Sequence, residues 1–224
     1  MERVVGVDVS ERRGLDIVVL GSGPTGPAVL APPAPRQTAA DLEALLAEWR
    51  PAIVAIDSPP AWGRTGNSRG CERELAALGI ACFRTPSDPA RCQHPFYNWM
   101  RAGQAAFAAA ARMGYAAYEG GRSARGCALE VFPHASAVAL AGMRPPPGTS
   151  RRSGAKRAWR TAILEGAGVD TGPLRSLDAV DAALAALTGL LVAEEQDWFA
   201  LGDPADGLIV LPGARPPGVY PRPG

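Results

Sequence analysis

Two aspartates stand at the ends of apolar segments that read as β-strands. Asp8 closes a Val-Gly-Val-Asp run near the start of the chain, and Asp57 closes the run 52–57. In a parallel pair of strands both ends lie at one edge of the sheet, where α/β sheets bind ligands. Each aspartate could instead cap the turn that follows its strand. The pair predicts a carboxylate site, with Asp8 and Asp57 as candidate catalytic residues and metal ligands.

Three further acidic residues fall where they could join this site. Asp178 and Asp181 are three positions apart at the start of the predicted helix Leu177–Ala193, so they share one face. The helix dipole also favours acids at that position. Glu130 lies between apolar neighbours in the predicted strand 128–132, where an exposed edge-strand glutamate is the alternative. We expect Asp181 and Glu130 to be catalytic, and Asp178 and Asp181 to bind metal.

Clustered carboxylates repel one another and raise each other's pKa unless a cation offsets their charge. Oxygen ligands of this kind select Mg²⁺ or Mn²⁺, which keep several waters and reach substrate phosphate oxygens. Two such ions about 4 Å apart can activate a water and stabilise the leaving oxygen of an in-line displacement. The acidic residues therefore predict metal-assisted phosphodiester chemistry.

Basic residues supply candidate contacts to a phosphate backbone. The stretch 144–160 contains several arginines and one lysine but no acidic residue, and Trp159 could stack on a base. The alternative is a solvated basic face. Arg69 and Arg73 follow the Asp57 strand and could either position substrate or pair with acids at the surface. The predicted substrate-binding residues are Arg69, Arg73, Arg152, Lys156 and Arg160.

Two familiar motifs do not account for the sequence. Cys82, Cys92 and His94 have loosely zinc-like spacing, but no fourth ligand accompanies them. The glycines of 21–26 follow the G-x-G-x-x-G pattern, which binds a dinucleotide only when a helix begins within it. Prolines 24, 27, 32 and 33 leave no room for that helix. A glycine-rich hairpin turn is the better interpretation.

The elements that must position these residues follow from the apolar patterns. The predicted strands are 4–9, 16–20, 28–31, 52–57, 128–132 and 208–211. The predicted helices begin with one capped by Thr38 and ended by Pro51, and continue with 69–78, 96–113, 135–140, 155–167 and 177–193. Three hairpin-connected strands followed by α-β crossovers predict a mixed sheet flanked by helices, the RNase H-like architecture. An ordinary doubly wound sheet is the alternative.

Length and composition fit one domain. The chain has 224 residues, 47% of them apolar, and a formal net charge of +1, so any basic surface must be local. We expect a single domain over 1–224, with a helical insert around 69–125 and a mobile basic loop around 144–156. The four cysteines form no CxxC pair, and a strand begins almost at Met1. These features predict a cytoplasmic protein with reduced thiols and no membrane segment.

Several short motifs together resemble a known family. The chain is similar to the predicted RNase H-like nucleases grouped as domain of unknown function 429, and the resemblance spans nearly its whole length. The motifs are Gly6-Val7-Asp8, Ile56-Asp57-Ser58-Pro59, Arg69-x-Cys71-Glu72-Arg73-Glu74, Glu130-Val131-Phe132-Pro133-His134, Asp178-x-x-Asp181-Ala182 and Asp206-Gly207-Leu208-Ile209-Val210-Leu211-Pro212. The resemblance implies an RNase H-like fold and, by analogy with resolvase-type enzymes, a divalent-metal nuclease site.

The same resemblance implies roles for individual residues. Asp8, Asp57 and either Asp178 or Asp181 would be metal ligands, and Glu130 a member of the site. The fourth strand carries Asp57 where resolvase-type enzymes commonly have the longer glutamate.

Three classes of function remain open at this stage. The first is a metal-dependent nuclease or phosphodiesterase with Mg²⁺ or Mn²⁺ as cofactor and nucleic acid or a nucleotide as substrate. The second is an actin-like nucleotide-binding phosphotransferase, whose sheet shares the strand order but usually needs two domains. The third is a non-catalytic module that binds nucleic acid or protein.

Overall fold

The computed structural model describes residues 2–24, 26–121, 123–149 and 152–223. The strands are β1 (Arg3–Ser10), β2 (Gly14–Gly23), β3 (Gly26–Val29), β4 (Ala34–Gln37), β5 (Ile53–Asp57), β6 (Ala116–Ala117), β7 (Cys127–Val131), β8 (Trp198–Asp203) and β9 (Gly207–Pro212). The helices are α1 (Ala39–Trp49), α2 (Gly70–Ala77), α3 (Pro89–Cys92), α4 (Asn98–Arg112), α5 (Pro133–Ala141), α6 (Ser153–Gly166) and α7 (Leu177–Ala193), with a 3₁₀ turn at Pro95–Tyr97.

The strands form one mixed sheet in the order β3-β2-β1-β5-β7-β9-β8, with β4 beside β2 and β6 beside β7. Strands β1, β2 and β3 pair antiparallel, whereas β5 pairs parallel with both β1 and β7. An antiparallel meander that continues into parallel strands is the RNase H-like arrangement, so this prediction is confirmed. The doubly wound alternative is wrong, because half of the sheet is antiparallel.

Helix α7 lies unusually close to β1, and small residues permit the approach. A Cβ atom on Gly6 would come within 2.1 Å of the Ala182 carbonyl oxygen and 2.7 Å of the Ala186 Cβ. Farther along the helix, a Cβ on Gly189 would meet Val4 Cγ1 at 2.7 Å. Helix α7 is therefore held against β1, and its N-terminal part lies close to the end of the strand that carries Asp8.

The opposite face of the sheet is covered by α1 and α4, which pack against buried aliphatic side chains of β1, β2 and β5. Helix α1 begins as predicted: Thr38 accepts a hydrogen bond from the Asp41 amide and the Asp41 carboxylate accepts one from the Thr38 amide. With helices on both faces, most of the strand-end carboxylates are shielded from bulk water.

Some elements escaped prediction from sequence. Strand β4 forms in a proline-rich segment for which no strand was predicted; it pairs only along β2 and needs few amide donors. Strand β8 pairs antiparallel with β9. The predicted helix 96–113 is divided into the 3₁₀ turn and α4. Helices α2, α3 and α4 lie between β5 and β7, in the region expected to hold a helical insert.

The predicted basic loop 144–156 overlaps the beginning of α6, which starts at Ser153. Its residues 150 and 151 lie outside the described residues. All four cysteines are free thiols. Among the described helices, none combines the length and apolar character that a membrane crossing requires.

Candidate functional site

Three aspartates stand side by side across three adjacent strands. Asp8 on β1 is the register partner of Asp16 on β2 and of Asp57 on β5. Register partners on neighbouring strands lie about 5 Å apart at the backbone and project from the same face of the sheet. The predicted convergence of Asp8 and Asp57 at one sheet edge is therefore what the structure has. Asp16 was not predicted, because it stands at the beginning of its strand rather than at the end.

Helix α7 brings two more carboxylates to this row. Asp8, Asp16 and Asp178 each offer an oxygen within 4.8 Å of the others, a spacing that one cation could bridge. Arg13 forms an ion pair with Asp178 at 2.7 Å, and buried Arg160 pairs with Asp181. We name the five residues Asp8, Asp16, Asp57, Asp178 and Asp181 the aspartate cluster.

The aspartate cluster carries more negative charge than its basic neighbours offset. Burial and the charge of Asp181 raise the pKa of Asp57 to about 8, despite the opposing effect of Arg160. Burial and then the charge of Asp57 hold the pKa of Asp8 well above its usual value, with smaller contributions from Asp181, Asp178 and Asp16. The site would therefore gain from a divalent cation, and its donors are carboxylate oxygens of the kind Mg²⁺ and Mn²⁺ prefer.

A family model described as "Protein of unknown function (DUF429)" matches residues 6–205, from β1 to beyond β8. The chain belongs to this family. No curated protein matches it. Among solved structures, it resembles T. thermophilus RuvC in complex with Holliday junction substrate, with 18% identity over 84% of this chain and 94% of that one and a TM-score of 0.46. A second Thermus thermophilus RuvC structure shows 16% identity over 86% and 96% of the two chains, with a TM-score of 0.44.

Glu130 of this DUF429 protein lies near the aspartate cluster but outside it. Its register partner on β5 is Ile56, one residue before Asp57, so the Glu130 and Asp57 side chains leave opposite faces of the sheet. Glu130 nevertheless contributes to the raised pKa of Asp57. Because β7 lies inside the sheet and Glu130 is buried, the alternative of an exposed edge-strand glutamate is wrong.

Arg69 forms a buried ion-pair triad with two glutamates. Its guanidinium donates to both oxygens of Glu130 and, through Nε, to Glu72 at 3.0 Å, while the side chain is 2% exposed. Glu72 also accepts from the Thr85 amide. Arg69 was predicted to bind substrate; its guanidinium is instead bound to protein carboxylates, and contact with substrate stays a prediction.

The remaining predicted substrate-binding residues are dispersed around α2 and α6. Arg73 is exposed and donates to the Ser68 carbonyl, and Arg152 is exposed at the beginning of α6. Lys156 and Arg160 line a pocket of about 670 Å³ together with Arg144 and Arg222. We name this the basic pocket. Within the described part of the chain, no acidic side chain lines it.

Arg160 connects the basic pocket to the aspartate cluster, since it lines the one and pairs with Asp181 in the other. His134, which also lines the pocket, has its pKa lowered to about 4 by burial and by the charges of Arg160 and Lys156. It is therefore neutral near pH 7. Arg144 belongs to the basic stretch that precedes α6, whereas Arg222 lies far from α6 in the chain. The basic stretch 144–160 did not indicate that Arg222 would line the same pocket.

Proposed function

We propose that this DUF429 protein is a divalent-metal-dependent hydrolase of phosphodiester bonds in nucleic acid. The observation that carries the proposal is the aspartate cluster, in which Asp8 lies between Asp16 and Asp57 and beneath the first turn of α7. Acidic residues from three separate parts of the chain converge there. Neither turn capping nor the helix dipole would require that convergence.

The donor set fits Mg²⁺ or Mn²⁺. Asp8, Asp16 and Asp178 would hold one ion, while Asp57 and Asp181 extend the oxygen ligands to the other side of Asp8 and would serve a second. Ions held there would supply a water activated for attack and charge stabilisation of the leaving oxygen. The binding of one ion by Asp8, Asp16 and Asp178 and the binding of a second ion beside it are both part of the proposal.

The protein's own side chains have separate tasks in this mechanism. Asp57 and Asp181 provide the negative charge that selects a doubly charged ion over a single ammonium group. Arg160 offsets the charge of Asp181 and also lines the basic pocket. Lys156, Arg144 and Arg222 would hold a neighbouring phosphate of the substrate, and the exposed Arg152 at the beginning of α6 would extend this contact along the nucleic-acid backbone.

The test compares cleavage by the wild type and Asp8→Asn. End-labelled single-stranded, duplex and branched oligonucleotides are incubated with Mn²⁺, with Mg²⁺ and with EDTA. We expect metal-dependent cleavage by the wild type and none by Asp8→Asn, because Asp8 is common to both ligand groups. Asp197→Asn is the matched control: Asp197 is exposed and follows the far end of α7, about 25 Å from the first turn by helix rise.

A binding measurement separates this proposal from its alternatives. Mn²⁺ should raise the melting temperature of the wild type and of Asp197→Asn, but not that of Asp8→Asn. Equal metal effects on all three proteins would contradict the aspartate cluster as the metal site. Stabilisation by ATP without cleavage would favour the phosphotransferase alternative, and metal-independent binding of nucleic acid would favour a non-catalytic module.

A further inference from the structure

A cleft of about 320 Å³ opens beside Asp57 at the carboxyl end of the sheet. Asp57 and Glu130 are among the residues that line it, together with four aromatic residues: Phe83, Phe96, Trp99 and Phe132. We name it the aromatic cleft. Its volume is within the range of pockets that bind small organic groups. Because Asp57 belongs to both, an occupant of the cleft would lie next to the aspartate cluster.

The aromatic walls are exposed in a way that folding does not require. Phe83 is 62% exposed and Phe96 is 49% exposed, and their ring centroids lie 5.5 Å apart. Phe83 also lies 5.9 Å from Trp99, and Phe96 lies 5.0 Å from Tyr97. Large exposed apolar groups gathered at one place mark a binding surface. Tyr97 in turn lies 6.3 Å from Trp62, so five rings form a continuous row.

One polar group in the cleft has no partner. Thr85 lines the cleft and is 1% exposed, and its hydroxyl makes no hydrogen bond among the described residues. Its backbone amide, by contrast, is bound to Glu72. A buried hydroxyl left unpaired costs free energy unless a ligand satisfies it. The cleft thus combines aromatic faces with a hydrogen-bonding group, which is how proteins hold a nucleobase.

We propose that the aromatic cleft binds an unpaired nucleobase of the substrate, stacked on Phe83 and Phe96 and hydrogen-bonded to Thr85. This proposal rests on the proposed function, which gives nucleic acid as the substrate class. It narrows that class to nucleic acids with an unpaired base. The preferred substrate contains a single-stranded or displaced nucleotide next to the cleaved bond. A fully paired duplex would have to extrude a base to reach the cleft.

The basic pocket supports this assignment by its position. Phe83 and Phe132 line both the aromatic cleft and the basic pocket, so the two cavities adjoin. A base in the cleft would leave its flanking phosphate beside Lys156, Arg144 and Arg222. A purely apolar ligand would have no use for these charges.

The test measures binding rather than cleavage. A short single-stranded oligonucleotide carrying 2-aminopurine is titrated with protein in EDTA, and its fluorescence reports stacking. We expect quenching by the wild type, with affinity reduced about five- to hundred-fold in Phe83→Leu and in Phe96→Leu, the effect of losing one base stack. Thr85→Val should also weaken binding, while Met143→Ala, which removes an exposed apolar group outside the cleft, should not.

The outcomes distinguish the two proposals. Unchanged affinity and quenching in all three cleft variants would overturn the base-binding assignment, even if metal-dependent cleavage is found. Loss of binding in the variants, with no cleavage by the wild type, would support the cleft and reject the nuclease. Leucine keeps the apolar volume at two surface positions, and melting curves of each variant verify folding. A fully paired duplex with the same fluorophore should show weaker quenching than the single strand.

Discussion

Replacing Asp57 with asparagine should stabilise the metal-free protein at alkaline pH. Burial and neighbouring charges raise the pKa of Asp57 from 3.8 to about 8. A carboxyl whose pKa is raised by folding destabilises the folded state wherever it must ionise. Asparagine has nearly the same shape and no charge, so it removes this penalty. The gain in stability of Asp57→Asn therefore measures the electrostatic repulsion that a bound cation would relieve.

The size of the effect follows from the shift. About four pKa units at about 1.4 kcal/mol each set an upper limit of roughly 6 kcal/mol. Protonation of the neighbouring acids relieves part of the repulsion in the wild type, so we expect Asp57→Asn to gain about 2–3 kcal/mol. For a domain of this size, that is a rise in melting temperature of about 5–10 °C.

The stability difference between Asp57→Asn and the wild type should depend on pH, and its direction follows from the raised pKa of Asp57. Well below pH 3.8, Asp57 is protonated in both the folded and the unfolded protein, so the wild type and Asp57→Asn should have similar stability. Between pH 4 and pH 8 the folded wild type holds a proton that the unfolded chain has released, and its stability falls as pH rises. Above about pH 8 the difference should reach its full value.

Thermal unfolding followed by circular dichroism in EDTA, across this pH range, measures the difference. Asp197→Asn serves as the control and should differ from the wild type by the same small amount at every pH. An Asp57→Asn protein that melts at or below the wild-type temperature at pH 8.5 would refute the reasoning. Asp57 would then be stabilised by contacts that outweigh burial and repulsion.

Two further predictions concern the scaffold of the site. Arg69→Met should lower the free energy of unfolding by about 3–5 kcal/mol, because Glu130 would remain as an uncompensated buried charge. In a denaturant titration, the double variant Arg69→Met with Glu130→Gln should recover part of this stability. Equal stability of the single and double variants would contradict the ion-pair assignment. Gly6→Ala should lower the free energy of unfolding by about 3 kcal/mol, because its Cβ would collide with the Ala182 carbonyl oxygen. Gly154→Ala is the control: a Cβ there meets open space on α6, so its free energy of unfolding should be unchanged or higher. If Gly6→Ala were as stable as Gly154→Ala, α7 would be able to shift without cost.

The sequence predicted the parts of the site that depend on local pattern. Asp8 and Asp57 were identifiable because each interrupts an apolar run at its end, and Leu177–Ala193 was identifiable by its long apolar pattern behind an acidic first turn. The strand order followed from three short strands placed before the first helix. These features are encoded within segments of about ten residues.

Features that depend on register and on distant contacts were not predictable in the same way. Asp16 joins the aspartate cluster only because the turn between β1 and β2 sets it opposite Asp8. Glu130 shifts to the other face because its partner is Ile56 rather than Asp57, a one-residue difference that no pattern within β7 reveals. Arg69 was predicted to bind substrate, because its partner Glu130 is 61 residues away and no local pattern indicates their ion pair.

The contact between α7 and β1 has a consequence for how the carboxylates are held. Because Gly6 faces main-chain atoms of Ala182 and Ala186 and the single methyl group of Ala186, the spacing between strand and helix is set by the backbone and not by long side chains that change rotamer. Asp8 and the acids of α7 are thus preorganised, and little rearrangement should accompany the arrival of a cation. Gly6, which has no side chain beyond a hydrogen atom, is the residue of β1 that permits this rigid contact.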